Sequence, residues 1–165
     1  MARSTQPIPA GFHTVTPSFT VRNCAEAIEF YKKALGAQER MRMVAPDGKI
    51  THAELLIGDS VVFLNDEIPG MGCKAPQSLD GTSGSFYLYV EDVDKAYQRA
   101  IDAGGKSTMP VTDMFWGDRF GGFVDPYGHN WGLSTHTHDY TEEELERGAK
   151  EFHAHMAAQA QKKSA

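Results

Sequence analysis

Displacing one stretch of this chain by 69 residues superimposes it on another. Val21, Asn23, Ala27, Ala34 and Gly36 of VRNCAEAIEFYKKALGA fall on Val90, Asp92, Ala96, Ala103 and Gly105 of VEDVDKAYQRAIDAGG. Each copy runs from an alternating strand through Asn or Asp at a helix start to an amphipathic helix closed by glycine, the local signals for strand, N-cap and C-cap. A period this long, repeated only once more, does not build a solenoid. It predicts two pseudo-symmetric modules, with function sought between them.

The spacing predicts strand 13–21, helix 24–35, strands 38–45, 50–57 and 60–66 with turns at Pro46-Asp47-Gly48 and Gly58-Asp59, a βαβββ unit. The second copy follows as strand 84–90, helix 93–103, a short strand near 106–111, strand 118–124, the turn Asp125-Pro126-Tyr127-Gly128 and strand 129–135. The fold class expected is therefore α+β: an N-terminal tail 1–12, one domain over 13–138 with modules 13–66 and 84–138, and a helical extension over 139–165. Residues 67–83, EIPGMGCKAPQSLDGTS, carry no period and are read as a mobile connector of the kind that forms lids. In the extension, Thr141 and Glu144 form a capping-box pattern, and Leu145, Ala149, Phe152 and Met156 share one face of a helix over 141–157. Such a stripe is expected to dock on the outside of the fold or across a two-fold partner.

With 41% hydrophobic residues in 165, the chain can bury a core without disulfides or structural metal. A formal charge of −6 argues against nucleic acid, whose phosphates call for clustered Lys and Arg. Cys24 and Cys73 lie in no CxxC pattern and read as reduced thiols of a cytoplasmic protein. MARSTQPIPAGF lacks the apolar stretch of a signal peptide, and no run approaches the ~18 apolar residues of a membrane span.

Period-two alternation divides the strands into two faces. Val15, Phe19, Val21, Ala53, Leu55, Ile57, Val62, Leu64, Phe86, Leu88, Val90, Trp131 and Leu133 form the apolar face that meets the helices. The opposite face carries Thr14, Thr16, Ser18, His52, Glu54, Phe63, Asn65, Ser85, Tyr87, Tyr89, Asn130 and Ser134. Rings with a few polar groups suit a small-molecule site, whereas a plain solvated sheet face is the alternative.

AIEFYKKALGA at 27–37 and FWGDRFGGFVDPYGHNWGLSTH at 115–136 resemble the vicinal oxygen chelate superfamily, the glyoxalase and bleomycin-resistance fold, the second motif resembling its PhnB-like branch. The resemblance implies eight strands curled into two cup-shaped halves, a site inside the cup and a homodimer. It also implies metal ligands from the first and fourth strand of each module. The matching positions here are Thr16, Phe63, Ser85 and Gly132, which offer no adequate donor set, so neither metal nor cofactor is expected.

Three groups remain as candidates. His52 and Glu54 project from one strand as a general base and its orienting carboxylate, as ligands of a displaced metal site, or as a structural pair at the rim. Trp116 is placed to cover a ligand, and Arg119 either clamps a carboxylate or carbonyl or forms an ion pair with Asp118. His129, and the HxH of His136 and His138, have no third ligand in reach and are expected to do no more than cap and solvate. The reading is a metal-independent binder of a small organic molecule, with Thr16, Phe63, Asn65, Ser85, Tyr87, Tyr89, Trp116 and Asn130 as ligand contacts. The alternative is an enzyme acting on a small oxygenated substrate through His52, Glu54 and Arg119, with a metal-dependent lyase or dioxygenase third.

Overall fold

The computed structural model describes residues 5–163. The first module contains β1 (Ser18–Val21), α1 (Cys24–Leu35), β2 (Gln38–Val44), β3 (Ile50–Ile57) and β4 (Ser60–Asp66). A short helix, α2 (Pro76–Leu79), lies in the connector. The second module follows with β5 (Ser85–Tyr89), α3 (Val93–Asp102), β6 (Lys106–Asp113), β7 (Asp118–Val124) and β8 (Asn130–His136), and α4 (Glu142–Lys163) closes the chain. Two four-stranded mixed sheets result, ordered β1-β4-β3-β2 and β5-β8-β7-β6. In each, the first strand pairs parallel with the last and the others pair antiparallel.

The 69-residue offset persists in the hydrogen bonding. In the first module the Asp66 carboxylate accepts the Cys24 N–H at 2.8 Å, and at the equivalent place Thr135 Oγ1 accepts the Val93 N–H at 2.9 Å. The last strand of each module thus satisfies the first free N–H of its own helix. Asp92 caps α3 as expected, through Lys95 N at 3.0 Å. Asn23 does not cap α1: it sits in the left-handed region at φ 62° with no side-chain bond, and Asp66 takes that role.

Both apolar faces, with α1 and α3 packed against each other, form one core. It holds Phe19, Tyr31, Leu55, Leu64, Phe123, Trp131 and Leu133. The modules are joined inside it by Asp125 in the β7–β8 turn. One of its oxygens accepts Tyr31 Oη from α1 at 2.7 Å and Trp131 Nε1 at 2.8 Å, and the other accepts the N–H groups of Tyr127 and His129.

Three expectations need correction. β1 begins at Ser18 rather than residue 13, because Pro17 has no N–H to extend the ladder. Val15 consequently lies outside the strand and is 78% exposed instead of joining the apolar face. The connector is not structureless either: Ala75 and Pro76 are buried, and Ser78 bridges Arg22 and Glu67. The tail helix has its capping box, with Glu144 N–H donating to Thr141 Oγ1 and the Glu144 carboxylate accepting from Thr141 N. It docks through Phe152, whose ring lies 5.4 Å from that of Phe115, and through Gly148, where a Cβ would stand 2.8 Å from the Phe115 Cβ. Met156 at the far end of the stripe is half exposed, and the helix runs on to Lys163.

Asp66 is the most economical test of the first module. Asp66→Ala would leave the buried N–H groups of Cys24 and Ile50 without a partner. It is expected to cost about 2–5 kcal/mol in urea unfolding. Asp66→Asn, which keeps one acceptor oxygen, should cost less.

Candidate functional site

The polar faces of the two sheets are turned away from the shared core and have different chemistry. On the first sheet His52, Glu54 and Phe63 are neighbours, with the His52 ring edge-on to Phe63 at 4.8 Å between centroids. His52 Nε2 stands 3.6 Å from Glu54 Oε1, beyond hydrogen-bond length, and Arg40 Nε stands 3.8 Å from the other oxygen. The N-terminal segment covers part of this face. Phe12 packs edge-on to Phe63 at 5.9 Å, beneath the Arg40 guanidinium. A cavity of about 640 Å³ opens there between Ile8, Phe12, Thr16, Glu54 and Phe63. The amide hydrogens of Asn65 are used within the sheet, donated to Thr20 Oγ1 and to the Asp66 carbonyl, which leaves its Oδ1 as the atom to meet a ligand.

On the second sheet everything converges on Asp118. Its Oδ2 lies within 3.2 Å of Tyr87 Oη, Tyr89 Oη, Trp116 Nε1 and Ser134 Oγ. Its Oδ1 lies 2.8 Å from His136 Nδ1. The carboxylate is only 2% exposed. Burial pushes its pKa up, but hydrogen bonds from His136, Ser134, Tyr87 and Tyr89 outweigh burial and hold it below the usual carboxylate range. His136 Nε2 reaches Asp139 at 3.0 Å, so the ring spans two carboxylates. Those two bonds raise its pKa above the ordinary histidine value. His136 therefore does more than cap: as the imidazolium it donates to both carboxylates and fastens the start of the tail to the sheet.

Arg119 is not part of either face. Its neighbour Asp118 points to the polar side, so Arg119 points to the helix side, and the expected Asp118–Arg119 pair does not form. Its guanidinium instead forms a fork on Asp94 of α3, both bonds 2.7 Å, and reaches Asp113 at 3.0 Å. His52 and Glu54 lie on the other sheet, so the three candidate catalytic residues are not assembled. His129 is buried beside Asp125, and burial lowers its pKa, so it is a neutral packing residue.

The four family metal positions offer little room and poor donors for an ion. Ladder pairs at equivalent places exchange large for small: Ser18 faces Phe63 in the first module, and Tyr87 faces Gly132 in the second. A Cβ on Gly132 would lie 2.7 Å from Phe120 and 3.0 Å from Tyr87, whose rings stack at 5.5 Å. The space a ligating side chain needs at Gly132 is filled, Phe63 has no donor, and Thr16 and Ser85 are poor ones. The residues present do not fit a divalent metal at these positions. Among the described residues no group of three or more His, Cys, Asp or Glu side chains is arranged to hold one elsewhere.

The model of the Glyoxalase/Bleomycin resistance protein/Dioxygenase superfamily matches residues 11–133. The chain belongs to that superfamily. Uncharacterized protein Rv0887c of Mycobacterium tuberculosis (strain H37Rv) is 42% identical over 135 residues, 80% of this chain and 79% of that protein. The Arabidopsis thaliana gene product At5g48480 has a TM-score of 0.62 at 26% identity, over 74% of this chain and 98% of its own. The fosfomycin resistance protein FosX of Listeria monocytogenes, solved with Mn(II) and sulfate, has a TM-score of 0.59 over 80% of this chain and 95% of its own. At 15% identity that likeness is one of fold. The superfamily is thus shown, its two mixed sheets match this molecule, and among the described residues no helix is long and apolar enough to cross a membrane.

The Asp118 cluster fixes a pH dependence. His136 has a raised folded pKa, so its contribution is complete below the unfolded histidine value and is lost as pH rises through the folded one. Asp118 has a depressed folded pKa, so its contribution is present above the unfolded aspartate value and is lost as pH falls through the folded one. The stability gap between wild type and His136→Gln should be widest between these limits and close on the alkaline side. A gap that persists unchanged at alkaline pH, followed by thermal unfolding, would show that the imidazolium is not the fastener.

Proposed function

We propose that this superfamily member binds a small organic molecule on the aromatic and polar faces of its sheets, without the superfamily's metal. The observation that supports this most directly is the Gly132 position, where the rings of Phe120 and Tyr87 occupy the space of a ligating side chain. The same substitution of rings for donors provides apolar area, with polar atoms to orient a ligand, as small-molecule sites require. Thr16, Phe63, Asn65, Ser85 and Asn130 remain proposed contacts beside Tyr87, Tyr89 and Trp116. Each polar face is half of a cup, and a homodimer in which a second copy supplies the facing half is part of the proposal. Placement in the PhnB-like branch rests on the 115–136 motif, which forms the β7–β8 hairpin and its approach. A cytoplasmic setting rests on the two free cysteines.

An enzyme is the second reading, and the proximity of His52, Glu54 and Arg40 favours it. In that reading His52 accepts a proton, Glu54 stabilises the imidazolium, and a guanidinium polarises an oxygen of the substrate. Arg119 can serve only by leaving Asp94 and Asp113, whereas Arg40 already stands beside Glu54. Turnover of α-ketoaldehydes or catechols that is lost in His52→Ala would select this reading over simple binding.

Protein purified without chelator is expected to carry no stoichiometric Zn, Ni, Mn or Fe, and such a metal held by Thr16, Phe63, Ser85 or Gly132 would overturn the proposal. In a screen of small organic molecules at varied charge, ligands are expected to quench Trp116, which lies at the Asp118 cluster, and not the buried Trp131. Full quenching retained in Trp116→Phe would place the ligand elsewhere.

A further inference from the structure

The hydrogens of the Asp118 cluster all point inward. The one hydrogen of Tyr87 Oη is shared between Ser134 Oγ at 2.8 Å and Asp118 Oδ2 at 3.2 Å, Ser134 Oγ donates to Asp118 at 3.1 Å, and Tyr89 Oη and Trp116 Nε1 donate to the same carboxylate at 3.2 Å. What these groups present outward is therefore phenol lone pairs and ring faces, since each hydroxyl has only one hydrogen to give. Donation to an ionised carboxylate further strengthens the phenol oxygens as acceptors. Burial and the neighbouring Asp118 raise the pKa values of Tyr87 and Tyr89, so both remain neutral phenols.

The rings form a continuous aromatic surface. Tyr87 lies 5.3 Å from Tyr89 and 5.5 Å from Phe120, and Phe120 lies 6.2 Å from Trp116. Tyr87 and Tyr89 are 45% and 67% exposed, which leaves ring area for a ligand. The local charge is uneven. On this face two carboxylates, Asp118 and Asp139, share the single imidazolium of His136. Behind the sheet two more, Asp94 and Asp113, share the single guanidinium of Arg119. In each group the cation is outnumbered two to one, and where Lys95 and Arg99 border the cavity beside Tyr87 and Tyr89 they are matched by Asp59, Glu91 and Asp92, so the surplus stays negative.

Outward lone pairs, electron-rich ring faces and a net negative field are complementary to one ligand class. A carboxylate or phosphate would meet the repulsion of Asp118 and Asp139 and no free hydrogen from the two phenols, the indole or Ser134, whereas a positive nitrogen is drawn both by the rings and by the field beneath them. We propose that the Tyr87–Tyr89–Trp116–Phe120 surface over Asp118 recognises a small organic cation, an ammonium group carried on an aromatic or apolar body. This rests on the binding reading above and narrows it to a charge class.

The test is a titration of the full-length protein, read by Trp116 fluorescence, with three probes of similar size: benzyltrimethylammonium, N-benzylacetamide and benzoate. The cation is expected to bind at least about tenfold more tightly than either of the others, and to weaken as salt is added. Tyr89 is exposed, so Tyr89→Leu should leave the fold intact and reduce cation affinity by roughly three- to fivefold, with little effect on N-benzylacetamide. Asp118→Asn should reduce the preference for the cation, and Tyr89→Leu keeps the test valid if that variant fails to fold. Equal or tighter binding of N-benzylacetamide or benzoate would overturn the charge class while leaving ligand binding standing. Failure of the cation to bind would overturn it as well, and the broader screen under the proposed function would then decide whether the cup binds any molecule.

Discussion

The Asp125 carboxylate is the junction on which the two modules depend. It sits in a turn of the second module, yet it accepts the Tyr31 hydroxyl from the helix of the first. A buried carboxylate is costly unless its lone pairs are filled, and this one has two side-chain and two backbone donors. Satisfying it requires α1, the β7–β8 turn and Trp131 to be in place together. That requirement ties the helix of the first module to the second, and with it the apolar sides of both sheets face one core while their polar sides face away.

The free faces then diverge despite a common frame. The parallel ladder between first and last strand has the same register in both modules, as do the helix-start bonds from the final strand, while the neighbouring antiparallel ladder is displaced by one residue. What differs is side-chain chemistry at equivalent places. The first face has a charged group, His52, Glu54 and Arg40, partly under the N-terminal segment. The second has a buried carboxylate beneath phenols and indole. The repeat supplies a symmetric scaffold, and the side chains on it make two unlike polar faces.

Much of this was legible in the sequence, for identifiable reasons. Alternation sorted Phe19, Leu55, Leu64 and Leu133 from Glu54, Phe63 and Tyr87, because the pleat assigns faces without knowledge of strand partners. It failed at Val15, where it was carried through Pro17 into a segment with no ladder. The suggested Asp118–Arg119 pair was attractive because the residues are adjacent, but adjacency on a strand is what separates them. The role of Asp118 could not be read at all, since its donors come from positions 87, 89, 116, 134 and 136 and meet only when β5, β7 and β8 assemble. The tail helix runs past its apolar stripe because Ala157 and Ala158 favour helix without needing burial.

Gly132 has a consequence for what this chain can become. A histidine or glutamate there is only a few nucleotide changes away, but its side chain would collide with Phe120 and Tyr87 at once. Clearing the space means moving or replacing at least one of those rings, and Tyr87 also feeds the hydrogen-bond chain to Ser134 and Asp118. No single substitution at this position can therefore reinstall a ligating group without disturbing its surroundings. The intermediates on any such route would have neither a working metal site nor an intact aromatic surface, which makes the arrangement an epistatic trap rather than a neutral variant of the superfamily's design.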